Sequence, residues 1–223
     1  MNLFKSEETV VVLDFETTGM DPEQGDRVIE VGAILLRGEA IADRFQSLIN
    51  PGFLVTREIE SITGITNAML GKAPSATEVM ENFAKFIGSY PLVAHNASFD
   101  QKFLVSELAH IGKRRLLNFG CTLLIARRIY PEALNYKLET LIRHKNLSVS
   151  GQFHRALADA EMAASLWLKE IDDLKADYGF EEISFDLLKD LGKISKDRVP
   201  DYLQKMAKEL RHHQIDTTGN LFG

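Results

Sequence analysis

Five side chains in three separated clusters have the types and spacing for phosphodiester chemistry. Asp14 and Glu16 lie in Asp14-Phe15-Glu16-Thr17-Thr18-Gly19, and Asp100 closes His95-Asn96-Ala97-Ser98-Phe99-Asp100. His154 precedes Asp159 by five residues in His154-Arg155-Ala156-Leu157-Ala158-Asp159. Four carboxylates and one histidine are the set a two-metal hydrolase needs. The carboxylates are hard oxygen ligands for divalent cations, and an imidazole, titrating near pH ~6.5, suits a general base. Taken singly, each residue has a blander reading. A strand-end aspartate is usually a turn or cap residue, and a lone histidine usually sits on the surface. It is the conjunction that carries information.

The elements that must position these groups are legible around them. Val10-Val11-Val12-Leu13 reads as a strand buried on both faces. Side chains alternate along a strand, so Asp14 and Glu16 share one face while Phe15 points to the other. Two carboxylates side by side, with no adjacent Lys or Arg, repel unless cations lie between them. After the turn-rich Asp21-Pro22-Glu23-Gln24-Gly25-Asp26, Val28 to Leu36 and Phe45 to Ile49 read as further strands, the latter ended by Asn50-Pro51-Gly52. Ser75 or Thr77 caps a helix with Val79, Phe83, Phe86 and Ile87 at helical spacing. Leu92-Val93-Ala94 is a short buried strand leading into the second cluster, and Phe99 to Ile111 fits a helix. Asn118 to Leu124 reads as a fifth strand running into a helix, and Tyr136 to Lys145 as another helix. Ser148 to Gln152 forms a loop ahead of an alanine-rich helix from Ala156 to Ile171. Three strands followed by alternating helices and strands define an α/β protein with a mixed five-stranded sheet flanked by helices.

Asp-x-Glu-x-Thr-Gly, His-Asn-x-x-Phe-Asp and His-x-x-x-x-Asp, in this order, resemble the motifs of the DEDDh branch of the DnaQ-like 3′–5′ exonucleases, a family that includes proofreading subunits of bacterial replicative polymerases. The resemblance runs from about Thr9 to about Trp167. It implies a ribonuclease H-like fold and two Mg²⁺ or Mn²⁺ ions held by Asp14, Glu16, Asp100 and Asp159, with His154 as the base. It also implies nucleotide contacts. Thr17, Thr18, Gly19 and Met20 would meet the terminal nucleotide. Ile62 and Ile65, in Ile62-Thr63-Gly64-Ile65-Thr66, would pack on its base. Asn96 and Phe99 would lie near the penultimate sugar and base. His95 is expected to support its motif from behind rather than bind metal.

On this reading residues 1–175 form the exonuclease domain, and residues 176–223 a helical C-terminal extension with a frayed tail. In that extension Phe185 to Leu191 and Val199 to Leu210 are expected helices, and Leu203, Met206 and Leu210 a narrow apolar stripe. The expected substrate is single-stranded or frayed nucleic acid, DNA favoured over RNA, with a DNA polymerase or clamp as a further partner. An RNA-trimming exonuclease and a non-catalytic binding module on the same fold are the competing functions. The net charge of −6 argues for modest affinity for free nucleic acid. Metal ions in the acidic cluster would ease that conflict, and Lys113-Arg114-Arg115, Arg127-Arg128 and Arg143 with Lys145 remain as basic clusters. One cysteine, Cys121, excludes an intrachain disulfide and favours a reducing compartment. With no apolar stretch near the ~20 residues of a membrane span and no secretory leader pattern, a cytoplasmic protein is expected.

Overall fold

The apolar run at Val10–Leu13 becomes β1 (Thr9–Thr17), the middle strand of a five-stranded sheet. The computed structural model of the chain describes residues 8–116, 118–148 and 154–219. β2 (Val28–Arg37) pairs antiparallel with β1, and β3 (Ala40–Leu48) antiparallel with β2. On the other side β4 (Leu92–Ala94) and β5 (Phe119–Cys121) run parallel to β1, giving the order β3-β2-β1-β4-β5. The helices are α1 (Arg57–Thr63), α2 (Asn67–Leu70), α3 (Ala76–Ile87), α4 (Ala97–His110), α5 (Thr122–Ile129), α6 (Leu138–His144), α7 (Ala156–Tyr178), α8 (Phe185–Leu191) and α9 (Val199–Gly219). The mixed sheet flanked by helices is the architecture the sequence implies.

The period of two along β1 decides where its carboxylates point. Val11, Leu13 and Phe15 face α3 and α4, in a cluster with Val79, Phe83, Phe103 and Leu104. Val10 and Val12 face the other way, onto Ala160, Ala163, Ala164 and Trp167 of α7. Asp14 and Glu16 continue the second series, so they leave the sheet on the side of α7, the helix that carries Asp159. The alanine stripe lets α7 lie close. At Gly32, the β2 residue opposite Asp14, a Cβ would stand 2.1 Å from the Leu157 nitrogen and 2.2 Å from the Ala156 carbonyl carbon. Only glycine admits the helix there.

Two ion pairs with a buried carboxylate fix helices to the sheet. Glu30 of β2 is fully buried and accepts from Arg155 Nε and Nη2 at 3.1 and 2.8 Å, and from the Ala156 backbone N–H at 3.1 Å. This anchors the first turn of α7. Glu107 of α4 takes a bidentate pair from Arg27 at 2.8 Å on each arm, which ties α4 to the start of β2. Removing either arginine would leave a buried carboxylate without its counter-charge.

Several expectations need correction. β3 begins at Ala40, not Phe45, because its first half is an exposed edge without an apolar face. Two short helices not among the expected elements, α1 and α2, lie between β3 and α3, each capped by a threonine (Thr56, Thr66). The expected domain boundary at 175/176 falls inside α7, which runs to Tyr178 and ends on Gly179 at φ 69°. Beyond it Phe185, Leu188, Leu191 and Leu203 are buried in the same cluster as Val10 and Val12 of the central strand. α9 continues to Gly219, past the expected start of a frayed tail at Gln214. Residues 220–223, with Leu221-Phe222, and most of the expected loop before His154 lie outside the described residues. Among the described residues no helix is long and apolar enough to cross a membrane.

Candidate active site

β1 ends in a bulge. Glu16 pairs with Glu30 but Thr17 pairs with Val28, so the ladder slips by a residue and the chain leaves the sheet just after the two carboxylates. The Thr17–Met20 segment is then held by its own hydrogen bonds. Thr17 Oγ1 donates to the Gly19 carbonyl at 2.6 Å, and Thr18 Oγ1 donates to Asp26 at 3.1 Å while accepting from the Arg27 N–H at 3.0 Å. Gly19 passes so near Asp26 that a Cβ would sit 2.4 Å from its carboxylate oxygens.

β4 delivers the second cluster to the same end of the sheet. Asn96 adopts φ 66° and turns the chain sharply into α4, whose first turn carries Asp100. α7 brings the third. Its Asp159 accepts from the His154 backbone N–H at 2.8 Å, and His154 itself sits at φ 65° with an exposed side chain.

Ligand oxygens of Asp14, Glu16 and Asp159 all lie within 4.8 Å of one another. Burial and mutual repulsion raise every acid of the group. Asp14 is pushed well above the carboxylate range by burial, then by Asp100, Asp159 and Glu16. Burial, with Asp159 and Glu30 nearby, lifts Glu16 to about 8. Burial also raises Asp159. Asp100 is raised well above its usual range, again by burial first, although the Phe15 backbone N–H offers it a bond. One of its oxygens, Oδ1, is buried without a partner. Such an arrangement of hard, mutually repulsive oxygen donors fits divalent cations.

The expected nucleotide contacts divide by exposure. Met20 is 71% exposed and Ile62 50%, and Asn96 is open to solvent. Phe99 is half-buried, its ring 5.0 Å from that of Phe103, with Lys102 Nζ 5.4 Å from its centroid. Thr18 and Gly19 are half-buried and Thr17 is nearly closed off. Ile65 does not fit its expected role: it is fully buried with Ile29, Val55 and Leu70, so its side chain anchors the α1–α2 segment to the sheet. His95 bonds Thr122 Oγ1 at 2.8 Å and the Tyr136 carbonyl at 3.0 Å, and burial lowers it to about 4. It is a neutral brace, not a member of the acid cluster. Glu30, Gly32, Arg155 and Glu107 escaped the sequence reading. A glycine inside a strand was the one local signal among them.

A family model described as Exonuclease matches residues 11–167. Over 172 residues the chain is 34% identical to the DNA polymerase III subunit epsilon of Aquifex aeolicus, covering 77% of this chain and 84% of that protein. To the PolC-type DNA polymerase III of Bacillus cereus it is 39% identical over 177 residues, 79% of this chain but 12% of the much longer relative. Exonuclease X, solved in complex with 5′ overhanging duplex DNA, superposes with TM-score 0.66 at 25% identity, over 82% of this chain and 99% of that one. The nuclease domain of 3′hExo, a DEDDh family member bound to rAMP, gives TM-score 0.63 at 20% identity, over 76% and 94%. The chain therefore belongs to this exonuclease family, the DnaQ-like 3′–5′ exonucleases.

Proposed function

We propose that the chain removes nucleoside 5′-monophosphates from the 3′ ends of single-stranded or frayed DNA. One observation carries this reading: three carboxylates converge within 4.8 Å, with Asp100, one of whose oxygens is buried without a partner, repelling Asp14 of that group. Asp14, Glu16, Asp100 and Asp159 would hold two divalent cations, Mg²⁺ or Mn²⁺, which when bound stabilise the charge developing on the phosphate and leaving oxygen. The acids keep those positions because β1, α4 and α7 are locked together by Glu30–Arg155, Arg27–Glu107 and Gly32. His154, exposed at the mouth and tethered through its backbone to Asp159, accepts the proton of the attacking water. Met20, Ile62 and the edge of Phe99 form an apolar rim on which the terminal bases rest, a contact worth ~1–3 kcal/mol per stacked base.

A free 3′ end suits this geometry because a paired base must leave its stack first, at a cost of a few kcal/mol. Every catalytic group lies before residue 175, and α8 and α9 serve as support for the domain that carries them. The likeness to a DNA polymerase III subunit favours DNA and a polymerase partner. The free thiol of Cys121 accords with a cytoplasmic setting. A binding module without activity is disfavoured because no carboxylate of the set is missing.

The test is a time course on 3′- and 5′-labelled single-stranded DNA, the matching RNA and blunt duplex, with Mg²⁺, Mn²⁺ or EDTA. Mononucleotides should appear from the 3′ end, fastest on single-stranded DNA, and EDTA should stop the reaction. Faster release from RNA would move the reading to RNA trimming. No release with either metal would refute catalysis.

A further inference from the structure

At the far end of α4 from Asp100 lies an open cleft of about 310 Å³, between the last turn of α3 and the loop that follows α4. Lys85, Lys113, Arg114 and Arg115 line it with Ile87 and Leu108, and no acid does. Cations are expected near helix C-termini, so the bland account is that they answer the helix dipoles. The magnitudes do not balance. Two helix ends supply about −0.5 charge each, against four full positive charges, which leaves an excess of about +3. Arg115 is spoken for, since its guanidinium donates to the Ile87 carbonyl at 3.5 Å and to the Tyr90 carbonyl. Those bonds set the loop in place. Lys113 and Arg114 are exposed, and among the described residues neither forms an ion pair.

The outer face of α4 itself, which leads from the active site to this cleft, carries no acid, although Asp21 and Glu23 lie beside its first turns. Along the solvent side of α4, Gln101, Lys102, Val105, Ala109 and His110 are exposed. The acids of that helix, Asp100 and Glu107, are both buried. In a protein of net charge −6 a solvent face with no carboxylate, ending in a cationic cleft, is a local inversion of the whole molecule's charge. A helix of 14 residues spans about 21 Å at ~1.5 Å per residue. At the ~3.4 Å per nucleotide of a stacked strand, that is about six nucleotides.

We propose that this cleft is a second nucleic-acid subsite, in which Lys113, Arg114 and Lys85 hold the backbone phosphates of a single strand about six nucleotides on the 5′ side of the end being hydrolysed. The proposal rests on the exonuclease reading above. The contact is to phosphate alone, so it is independent of base sequence and sugar, and it counters the weak attraction that an acidic protein has for a free strand. It also predicts that affinity rises once a substrate is long enough to bridge both sites.

The test compares the parent with Lys113→Glu/Arg114→Glu on dT3 and dT12. The parent should show a markedly lower KM on the longer strand. In the double variant, KM on dT12 should rise about tenfold toward the value for dT3, with kcat and the melting temperature unchanged. KM on dT3 should not move. For Lys113→Ala/Arg114→Ala the log–log salt dependence of dT12 affinity should flatten by about 1.4, from ~0.7 per lost single-strand phosphate contact. Equal KM for parent and double variant on dT12 would overturn the proposal and leave the cleft to an acidic peptide. An equal rise on dT3 would do the same, by showing a general disturbance. Fluorescence anisotropy with labelled dT12 and rU12 gives the same comparison without turnover. If the parent does not cleave, the exonuclease reading fails while unequal binding still supports the cleft.

Discussion

The two ends of α4 carry opposite unneutralised charge, and they hold it differently. At its first turn Asp100 joins Asp14, Glu16 and Asp159, buried or half-buried and pushed toward their neutral forms. Beyond its last turn Lys113 and Arg114 stand in solvent. Burial rather than sign makes the difference. Solvated cations stay charged whether or not a ligand is present, so the basic end attracts phosphate at all times. The acidic end is uncomfortable as a set of anions and becomes fully charged only when cations share the site. One end is suited to turnover and the other to retention, so substitutions at the two should separate kcat from KM.

The sharpest break is Asp14→Asn. It should reduce hydrolysis to background at saturating Mg²⁺, a greater loss than that of a general base. Its metal-free melting temperature should rise, because one member of a repulsive cluster has gone. Parent-like turnover would refute the ligand assignment. His154→Ala should lower kcat by about 10²–10⁴-fold while calorimetry finds metal affinity little changed, since this side chain is exposed and is not one of the three ligands that converge within 4.8 Å. If metal binding fell in step with rate, His154 would be a ligand instead.

Gly32→Ala tests the distance between β2 and α7 without touching a catalytic group. A methyl 2.1 Å from the Leu157 nitrogen must push the helix away. Displacing Asp159 by about 1 Å should cost on the order of 10²-fold in kcat, and the melting temperature should fall too. Retained activity in a folded variant would show that the helix relaxes cheaply.

Smaller, and specific to the acidic end, is a pH effect on stability. Glu16 rises from 4.5 to about 8 on folding, so the folded metal-free protein holds its proton more tightly than the unfolded chain. The stability this lends is full below about 4.5 and is lost as pH climbs to about 8. Thermal melts in EDTA should therefore shift down by several degrees over that window, and Mg²⁺ should remove most of the shift. A flat profile in EDTA would contradict the buried cluster. The smallest effect is expected at Glu170 of α7, fully buried with both carboxylate oxygens unpartnered and pushed well above its usual range by burial. Glu170→Gln should leave activity unchanged and raise the melting temperature at about pH 8 more than at about pH 5, because the amide has no proton to lose.

What could be read in advance follows from how local its cause is. The strand at Val10–Leu13, the facing of Asp14 and Glu16, the Ser75 cap and α4 and α7 rest on periodicity and capping, which neighbouring residues report. Glu30 was hidden in an apolar strand because its partner, Arg155, is 125 positions away and only the fold brings them together. Ile65 was placed at the nucleotide by resemblance alone, since its five-residue stretch shows no period, and the α1–α2 segment folds its side chain inward onto Ile29. The C-terminal helices looked like an appendage since their stripe is narrow. Those helices pack on β5, α5 and α7 and share a buried cluster with β1, at the other end of the sequence.

That last separation has a consequence in time. Asp14 leaves the ribosome 145 residues before Asp159 and 189 before Leu203, whose side chain lies in the cluster of the central strand. At about 5–20 residues per second, the acids of β1 wait roughly 7–30 s for the helix that completes them. A nascent chain therefore exposes half of a nuclease and cannot assemble the rest. The acid set is complete only once α7 has been made.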